Sequence, residues 1–531
     1  MKKTWIVLYT LFILFSLGFI YKTSFVIDGE RYYSLFDDAM ISMNYARNLL
    51  QGNGLVMNPG ERVEGITNPL WTFSMAAVHL LPVPQSKICL IVQLTGLLLL
   101  LINLFFVRKT ALLLSNNSEK MAMAAVFLTA FYLPLINWTL QGMETGLQTF
   151  FISAAVWMML KNQQKGIVSV GSYVLLGMGT LIRIDMAFLL VVIAVFSALG
   201  DRKNKKRHLI FGLLALVLFV GGQTLARILY YNDPLPNTYY LKMTGYPILL
   251  RLTRGFLVWG SFLWNMNLLL VAAAFVMALL HYKKSFGLLI AAVLAQMIYS
   301  IYVGGDAWEE FGGSNRYITP VMPMLFILCV FGFLKLGEYL ASGEERKGND
   351  NKILAFFRNH VFSLLVIFSF VQFNSPHGPL NMKDLLLFNS PPHVENNKTM
   401  VERALLIKQI TTPEAALSVT WAGAIPYFSE RKTVDILGKT DKTIARMEMR
   451  QSSGRDRFRY FLPGHLKYDY SYSIGQLQPD AVLQFWGDLQ EAEPYINGKY
   501  TKLVAIDKVF YLKNGSNAIL WQKFMKEEQK N

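Results

Sequence analysis

Apolar runs close to the length of a bilayer crossing follow one another along most of the chain, separated by short polar connections. Runs over residues 4–21, 88–107, 120–136, 147–160, 167–182, 186–200, 209–226, 257–280, 286–303, 317–337 and 354–372 predict about eleven transmembrane helices, some short for a perpendicular crossing. The first follows Met1-Lys2-Lys3 and shows no small-x-small cleavage site at Ser16-Leu17-Gly18-Phe19-Ile20-Tyr21, so it reads as a retained helix rather than a signal peptide. Thr67 to Leu81 is also apolar but short, and it ends in Pro82-Val83-Pro84. A crossing there would move the basic clusters between 108 and 207 off the cytoplasmic side, so a juxtamembrane or re-entrant helix is expected.

The pattern changes near residue 373. Ala416-Leu417-Ser418-Val419-Thr420, Thr433-Val434-Asp435-Ile436-Leu437 and Ala481-Val482-Leu483-Gln484-Phe485 read as buried strands, and Gly423 to Phe428 as the opening of a helix. The expected organisation is a polytopic α-helical membrane domain, 1–372, with a C-terminal α/β domain, 373–531, outside the membrane.

Composition fits this division: 53% of residues are hydrophobic and 16% charged, with a net charge of +16. The excess charge does not point to nucleic acid. It sits in short clusters between apolar runs: Arg108-Lys109, Lys161 with Lys165, Arg202 to Arg207, Lys283-Lys284, and Arg346-Lys347 with Lys352. The positive-inside rule then places the N-terminus in the cytoplasm and residues 22–87, the loops at 137–146, 227–256 and 304–316, and the tail on the opposite face of the membrane. Cys89 and Cys329 both lie in apolar runs, which leaves no disulfide framework and no thiolate metal site.

Ionisable residues gather in the segments expected outside. Asp37 and Asp38 follow the first apolar run; one can cap the helix running from Ala39 to Leu50, which leaves the other to accept a proton or hold a divalent cation. Arg183 and Asp185 interrupt a long apolar stretch, where charge is costly, either as a turn facing water or with Arg183 neutralising a lipid phosphate. Asn237, Tyr239, Tyr240 and Lys242 combine aromatic faces with a cation, which suits an interfacial belt or a sugar-phosphate site. Asp306 and Arg316, with Gly313-Ser314-Asn315 between them, frame another loop. Glu144 is placed to cap the next helix, and His465 stands in Pro463-Gly464-His465-Leu466-Lys467. There is no phosphate-binding Walker loop, HExxH helix or Gly-x-Ser-x-Gly elbow.

Several longer motifs resemble GT-C glycosyltransferases related to the mycobacterial terminal β-arabinofuranosyltransferase. They include Asp37-Asp38-Ala39 through Asn48, Asn58-Pro59-Gly60-Glu61-Arg62-Val63-Glu64-Gly65, and Thr67-Asn68-Pro69-Leu70-Trp71. Further along stand Gly142-Met143-Glu144-Thr145, Arg183-x-Asp185, Asp233-Pro234-Leu235-Pro236-Asn237-Thr238-Tyr239-Tyr240-x-Lys242, Val303-Gly304-Gly305-Asp306, Val434-Asp435-x-Leu437-Gly438-x-Thr440-Asp441 and Pro463-Gly464-His465-x-Lys467. The resemblance implies a GT-C membrane domain, a polyprenyl-phosphate-linked sugar donor, an envelope glycan or glycolipid acceptor, and an outer tail domain that helps bind glycan. It puts Asp37 and Asp38 in the catalytic position. Arg183, Lys242 and Arg316 are expected at the donor phosphate, and Arg62, Glu64, Asn68, Trp71, Glu144, Asp185, Asn237, Tyr239, Tyr240, Asp306, His465 and Lys467 at the substrates. Asp38 with Asp306 is a candidate Mg²⁺ pair. A transporter or non-catalytic receptor of lipid-linked glycan is the alternative; it predicts pseudo-repeats, of which none is evident.

Overall fold

The computed structural model describes residues 2–281, 284–308, 315–342, 352–375, 382–450, 458, 461–505 and 508–523. Lys283, Arg346, Lys347, Gly313 and Ser314 lie outside these residues.

Helix α1 (Lys2–Lys22) leads into a two-stranded hairpin, β1 (Ser24–Ile27) and β2 (Glu30–Tyr33), then α2 (Asp37–Leu50) and α3 (Pro69–His79). The hairpin turns on Asp28-Gly29, both at positive φ, as a two-residue turn matched to strand twist requires. Pro69 fixes the start of α3, which packs on α2. The segment 67–82 is therefore a short helix.

The apolar runs form α4 (Gln85–Leu114), α5 (Glu119–Ala130), α6 (Leu133–Leu140), α7 (Thr145–Gln164), α8 (Val170–Gly179) and α9 (Met186–Gly200). They continue through α10 (Lys205–Ala215), α11 (Gly222–Tyr231), α12 (Asn237–Met243), α13 (Ile248–Asn265), α14 (Leu268–Leu280), α15 (Lys284–Val303), α16 (Met322–Ser342) and α17 (Lys352–Phe373). Among the described residues, five helices are long and apolar enough to cross a membrane, or up to seven if each bent pair is one span. Two expected spans are broken. Residues 120–136 bend by 51° between α5 and α6, where Pro134 opens the second helix. Residues 257–280 bend by 83° at Asn267, whose left-handed backbone ends α13 and whose side chain accepts from Leu270 N to cap α14.

Beyond α17 come α18 (Val394–Ile410), β3 (Ala416–Val419), α19 (Ala424–Ser429), β4 (Lys432–Asp435), β5 (Ala481–Val482), β6 (Tyr500–Ala505) and β7 (Lys508–Lys513). The strands make one mixed sheet in the order β4-β3-β5-β7-β6. Its first three strands are parallel, and β7 and β6 close the edge as an antiparallel hairpin.

The sheet is fastened to the first loop. Asn58 donates to Thr433 O and accepts from Thr433 N, at 2.9 and 2.8 Å, and Asn237 Nδ2 donates to the carbonyls of Gly438, Lys439 and Asp441. On the membrane side Glu64 accepts from Arg227 Nε of α11 at 2.7 Å, both side chains being almost fully buried. Removing one partner from such a pair strands a charge away from water. Glu64→Ala is expected to cost about 3–5 kcal/mol in thermal unfolding of the detergent-solubilised protein. Glu64→Leu with Arg227→Met should recover most of that loss, and an additive double variant would show that the pair is not coupled.

Candidate functional site

The parallel strands point their carboxyl ends at the start of α2, where open α/β sheets place their ligands. After β3 the chain delivers Trp421 and α19; after β4 it turns through Lys439; after β5 it reaches Trp486. The β4 turn is built by Asp435. One carboxylate oxygen accepts from Leu437 N and Gly438 N, the other from Thr440 N, and Gly438 takes a φ of 75°. That turn aims Lys439 at α2.

The two adjacent aspartates separate at this junction. Asp37 is buried, and its Oδ1 accepts from Gly423 N at 3.2 Å and Ala424 N at 2.9 Å. The sequence-based expectation that Asp37 caps its own helix is corrected: no side chain caps α2, and Asp37 caps α19 instead. Its other oxygen has no partner among the described residues, and burial raises its pKa to about 6 against the pull of Lys439 and the two amides.

Asp38 faces a cavity. Its Oδ1 accepts from Lys439 Nζ, and its Oδ2 from Arg316 Nη1 at 3.1 Å. Burial alone would raise the pKa, but Lys439, Arg316 and Lys242 hold this carboxyl well below the usual range. Asp38 is therefore an anion at neutral pH. Arg316 also grips Asp306 in bidentate fashion, at 2.7 and 2.8 Å, and lies over the Trp138 ring.

Lys242 lines the same cavity and, among the described residues, has no carboxylate within ion-pair distance. Burial pushes it down to about 8, with Lys439 and Arg316 reinforcing that effect and Asp38 opposing it. Four cations, Arg183, Lys242, Arg316 and Lys439, and four carboxylates, Asp38, Glu144, Asp185 and Asp306, line the cavity, and among the described residues Lys242 is the cation with no carboxylate at ion-pair distance. Such an arrangement can receive an anion.

Asp38 and Asp306 do not fit a divalent cation. Arg316 occupies the space between them, and Lys439 takes the remaining Asp38 oxygen, so a metal ion would meet two positive side chains. Among the described residues no group of three or more His, Cys, Asp or Glu is arranged to hold a metal.

The other expected residues divide by what they touch. Arg183 lines the cavity and is paired there with Glu144 at 3.1 Å and Asp185 at 2.9 Å. Asn68, also at the cavity, donates to Glu144, linking the first loop to that pair. Tyr239, Asp306 and His465 line the cavity at Asp38, of about 100 Å³, with Lys242 and Arg316. Away from it, Arg62 lies over Tyr230, Arg446 over Tyr240, and Trp71 Nε1 donates to Gly142 O. Lys467 donates to the carbonyls of Tyr240, Thr244 and Ala445, all within 3.0 Å. Together with Glu64 and Asn237, these groups brace the walls instead of lining the cavity. Lys439 escaped the sequence reading because it fills an unassigned position of the Gly438-x-Thr440 motif, and lysine has no local signature.

The Asp37 contact makes a direct prediction. Asp37→Asn keeps an acceptor for both amides without the buried charge and is expected to be at least as stable as wild type at pH 7, whereas Asp37→Ala leaves two buried N–H groups unpaired at about 1–3 kcal/mol. Because the folded pKa is raised, the ionised carboxylate weakens the fold above about pH 6, and this cost fades as pH falls toward the ordinary carboxylate value. Thermal unfolding between the ordinary carboxylate value and neutral pH should show that slope below about pH 6 in wild type and not in Asp37→Asn.

Comparison with known proteins adds to this geometry. A sequence model described as a domain of unknown function (DUF8728) matches residues 392–516. Terminal β-(1→2)-arabinofuranosyltransferase of Mycobacterium tuberculosis is 26% identical over 219 residues, covering 39% of this chain and 34% of that protein. The chain thus matches about a third of the length of that curated relative. The fold is similar to that of ArnT from Cupriavidus metallidurans bound to undecaprenyl phosphate, with a TM-score of 0.54 and 12% identity over 98% of this chain and 99% of that one. It is also similar to the oligosaccharyltransferase AglB of Archaeoglobus fulgidus in complex with an inhibitory peptide and a dolichol-phosphate, with a TM-score of 0.54 and 10% identity over 97% of this chain and 75% of that one. The chain shares its fold with ArnT and AglB.

Proposed function

We propose that the chain is a membrane glycosyltransferase that moves a sugar from a polyprenyl-phosphate donor to an envelope glycan or glycolipid on the extracytoplasmic face of the bacterial inner membrane. The observation that carries this reading is the Asp38 carboxylate at a cavity where the Lys242 ammonium has, among the described residues, no carboxylate at ion-pair distance. ArnT with undecaprenyl phosphate and AglB with dolichol-phosphate support a lipid phosphate as the anion.

The chemistry follows from the leaving group. A lipid phosphate departs as a stable anion, so the enzyme needs no acid to protonate it, unlike a glycosidase expelling an alcohol. Lys242 binds the phosphate and offsets the charge that grows on it as the glycosidic bond breaks. Asp38 accepts the proton of the acceptor hydroxyl as it attacks. In the structure both Asp38 oxygens are held by cations, so its basicity rises when the arriving phosphate draws Lys439 or Arg316 toward itself. Asp37 positions the tail and does not reach the reacting atoms.

Release of undecaprenyl phosphate by the full chain from undecaprenyl-phosphoryl sugars, with envelope glycan acceptors, tests this. Asp38→Asn is expected to lower turnover by about 10²–10³, and Asp37→Asn to leave it within a few-fold. Equal turnover in wild type and Asp38→Asn would remove Asp38 from the mechanism, and movement of intact donor between leaflets would favour a transporter.

Lys242 adds a pH signature. The protonated ammonium binds phosphate, so kcat/KM should fall as pH rises through about 8. Lys242→Arg should carry that limb to higher pH, and a limb unmoved by the change would assign it elsewhere.

Sidedness is tested separately. Cys89 and Cys329 are buried, so a membrane-impermeant maleimide should label Lys502→Cys and spare Lys203→Cys in intact cells stripped of any outer membrane. The reverse pattern would invert the topology.

A further inference from the structure

An apolar groove of about 730 Å³ runs between α1 and α17, against about 100 Å³ for the cavity at Asp38. Val7 and Leu11 of α1 line one side, Val366 and Ile367 of α17 the other, and Met123 and Phe127 belong to α5, which packs on both helices. Val7, Leu11 and Ile367 are all more than half exposed. Exposed apolar side chains are ordinary where a helix meets lipid, but a recess of this size leaves its lining without dispersion partners unless a chain of matching chemistry lies in it.

Charge sits at one end only. Among the described residues that line the groove, the charged one is Lys120, which stands with Thr4 where α5 and α1 begin, whereas Phe15, Phe131 and Leu385 line the far end. The Lys120 ammonium lies 4.5 Å from the centre of the Phe362 ring and, among the described residues, has no carboxylate at ion-pair distance. Its neighbour Glu119 is already engaged, accepting from Arg108 Nη2 at 3.1 Å and from Trp5 Nε1 at 2.9 Å. Lys2 and Lys3, both exposed, come just before Thr4. On the topology set out above this end faces the cytoplasm, where anionic head groups favour a nearby lysine by about fivefold in affinity.

Length narrows the occupant further. Thr4 to Phe15 along α1 rises about 16 Å, and Lys120 to Phe131 spans the same number of residues. That is close to half of the roughly 30 Å hydrocarbon core, so the groove suits a chain from one leaflet. The donor lipid of the proposed reaction does not match it. Its phosphate belongs at Lys242, on the opposite face, and no charged side chain among the described residues lines the far end of the groove.

We infer that the groove between α1 and α17 binds an acyl chain of an anionic glycerophospholipid of the cytoplasmic leaflet, with the head-group phosphate held by Lys120, Lys2 and Lys3. The site is separate from the Asp38 cavity and does not depend on whether the chain transfers a sugar.

The test titrates the delipidated full chain in detergent with dioleoyl phosphatidylglycerol and with dioleoyl phosphatidylcholine, counting bound lipid by native mass spectrometry. Wild type is expected to bind phosphatidylglycerol about tenfold or more tighter than phosphatidylcholine, and Lys120→Ala to lose about fivefold of that preference. Lys120→Arg should keep it. Val7→Trp, which puts an indole into the groove, should weaken both lipids alike by about tenfold. These variants alter exposed side chains and should unfold at the wild-type temperature in lipid-free detergent, which reports that they are folded. Equal affinity for the two lipids in wild type, a preference unchanged in Lys120→Ala, or binding unmoved by Val7→Trp overturns the inference.

Discussion

The contact between the Asp37 carboxylate and the amides of Gly423 and Ala424 is the constraint on which the site depends. It joins the first turn of a helix beside the membrane to the first turn of a helix in the tail, and it does so at close range: a Cβ on Gly423 would lie 2.0 Å from the Asp37 carbonyl oxygen. With the two backbones pressed together, the neighbouring residue Asp38 is brought to the loop that follows β4. Two adjacent and chemically identical side chains thereby acquire opposite environments, one buried against amides and the other ringed by cations.

The cation ring is nearly balanced, and the balance is informative. A pair of unit charges at contact distance is worth about 4 kcal/mol at an effective dielectric of 20, so Lys439 and Arg316, each paired with Asp38, make a rigid pre-formed cluster. Arg183 is balanced separately by Glu144 and Asp185. Neutralising most of the cluster in advance limits the number of cations that a small anion can recruit. On the proposed reading, affinity for a lipid phosphate then falls largely to Lys242, and release of the spent carrier is not opposed by a surplus of positive charge.

Much of this architecture was legible from residue order. Apolar run length located helices, because a bilayer crossing demands it, and the short apolar stretches Ala416 to Thr420 and Thr433 to Leu437 located the central strands to within two residues. The Asp37-Asp38 pair and Lys242 stood out because charge beside a membrane is expensive to keep. The bend at Asn267 was not legible, since an asparagine within an apolar run is also compatible with a straight helix. Nor was the division of labour between Asp37 and Asp38, which depends on contacts with residues nearly four hundred positions away. Lys439 was hidden for the same reason: its role comes from the Asp435 turn and not from its neighbours in sequence. Lys467 shows the converse. A conspicuous motif lysine proves to be a strut tied to three carbonyls.

The separation of 386 residues between Asp37 and Gly423 also has a temporal meaning. At a synthesis rate of about 5–20 residues per second, the aspartate pair is made tens of seconds before the strands that receive it. Lys242 and Arg316 are made during that interval, but Lys439 follows only with the turn after β4, so Asp38 lacks one of its two direct cation partners until then. On the proposed reading, completion of the tail is what completes the site, and a ribosome that stalls before the Asp435 turn leaves a protein in the membrane without it.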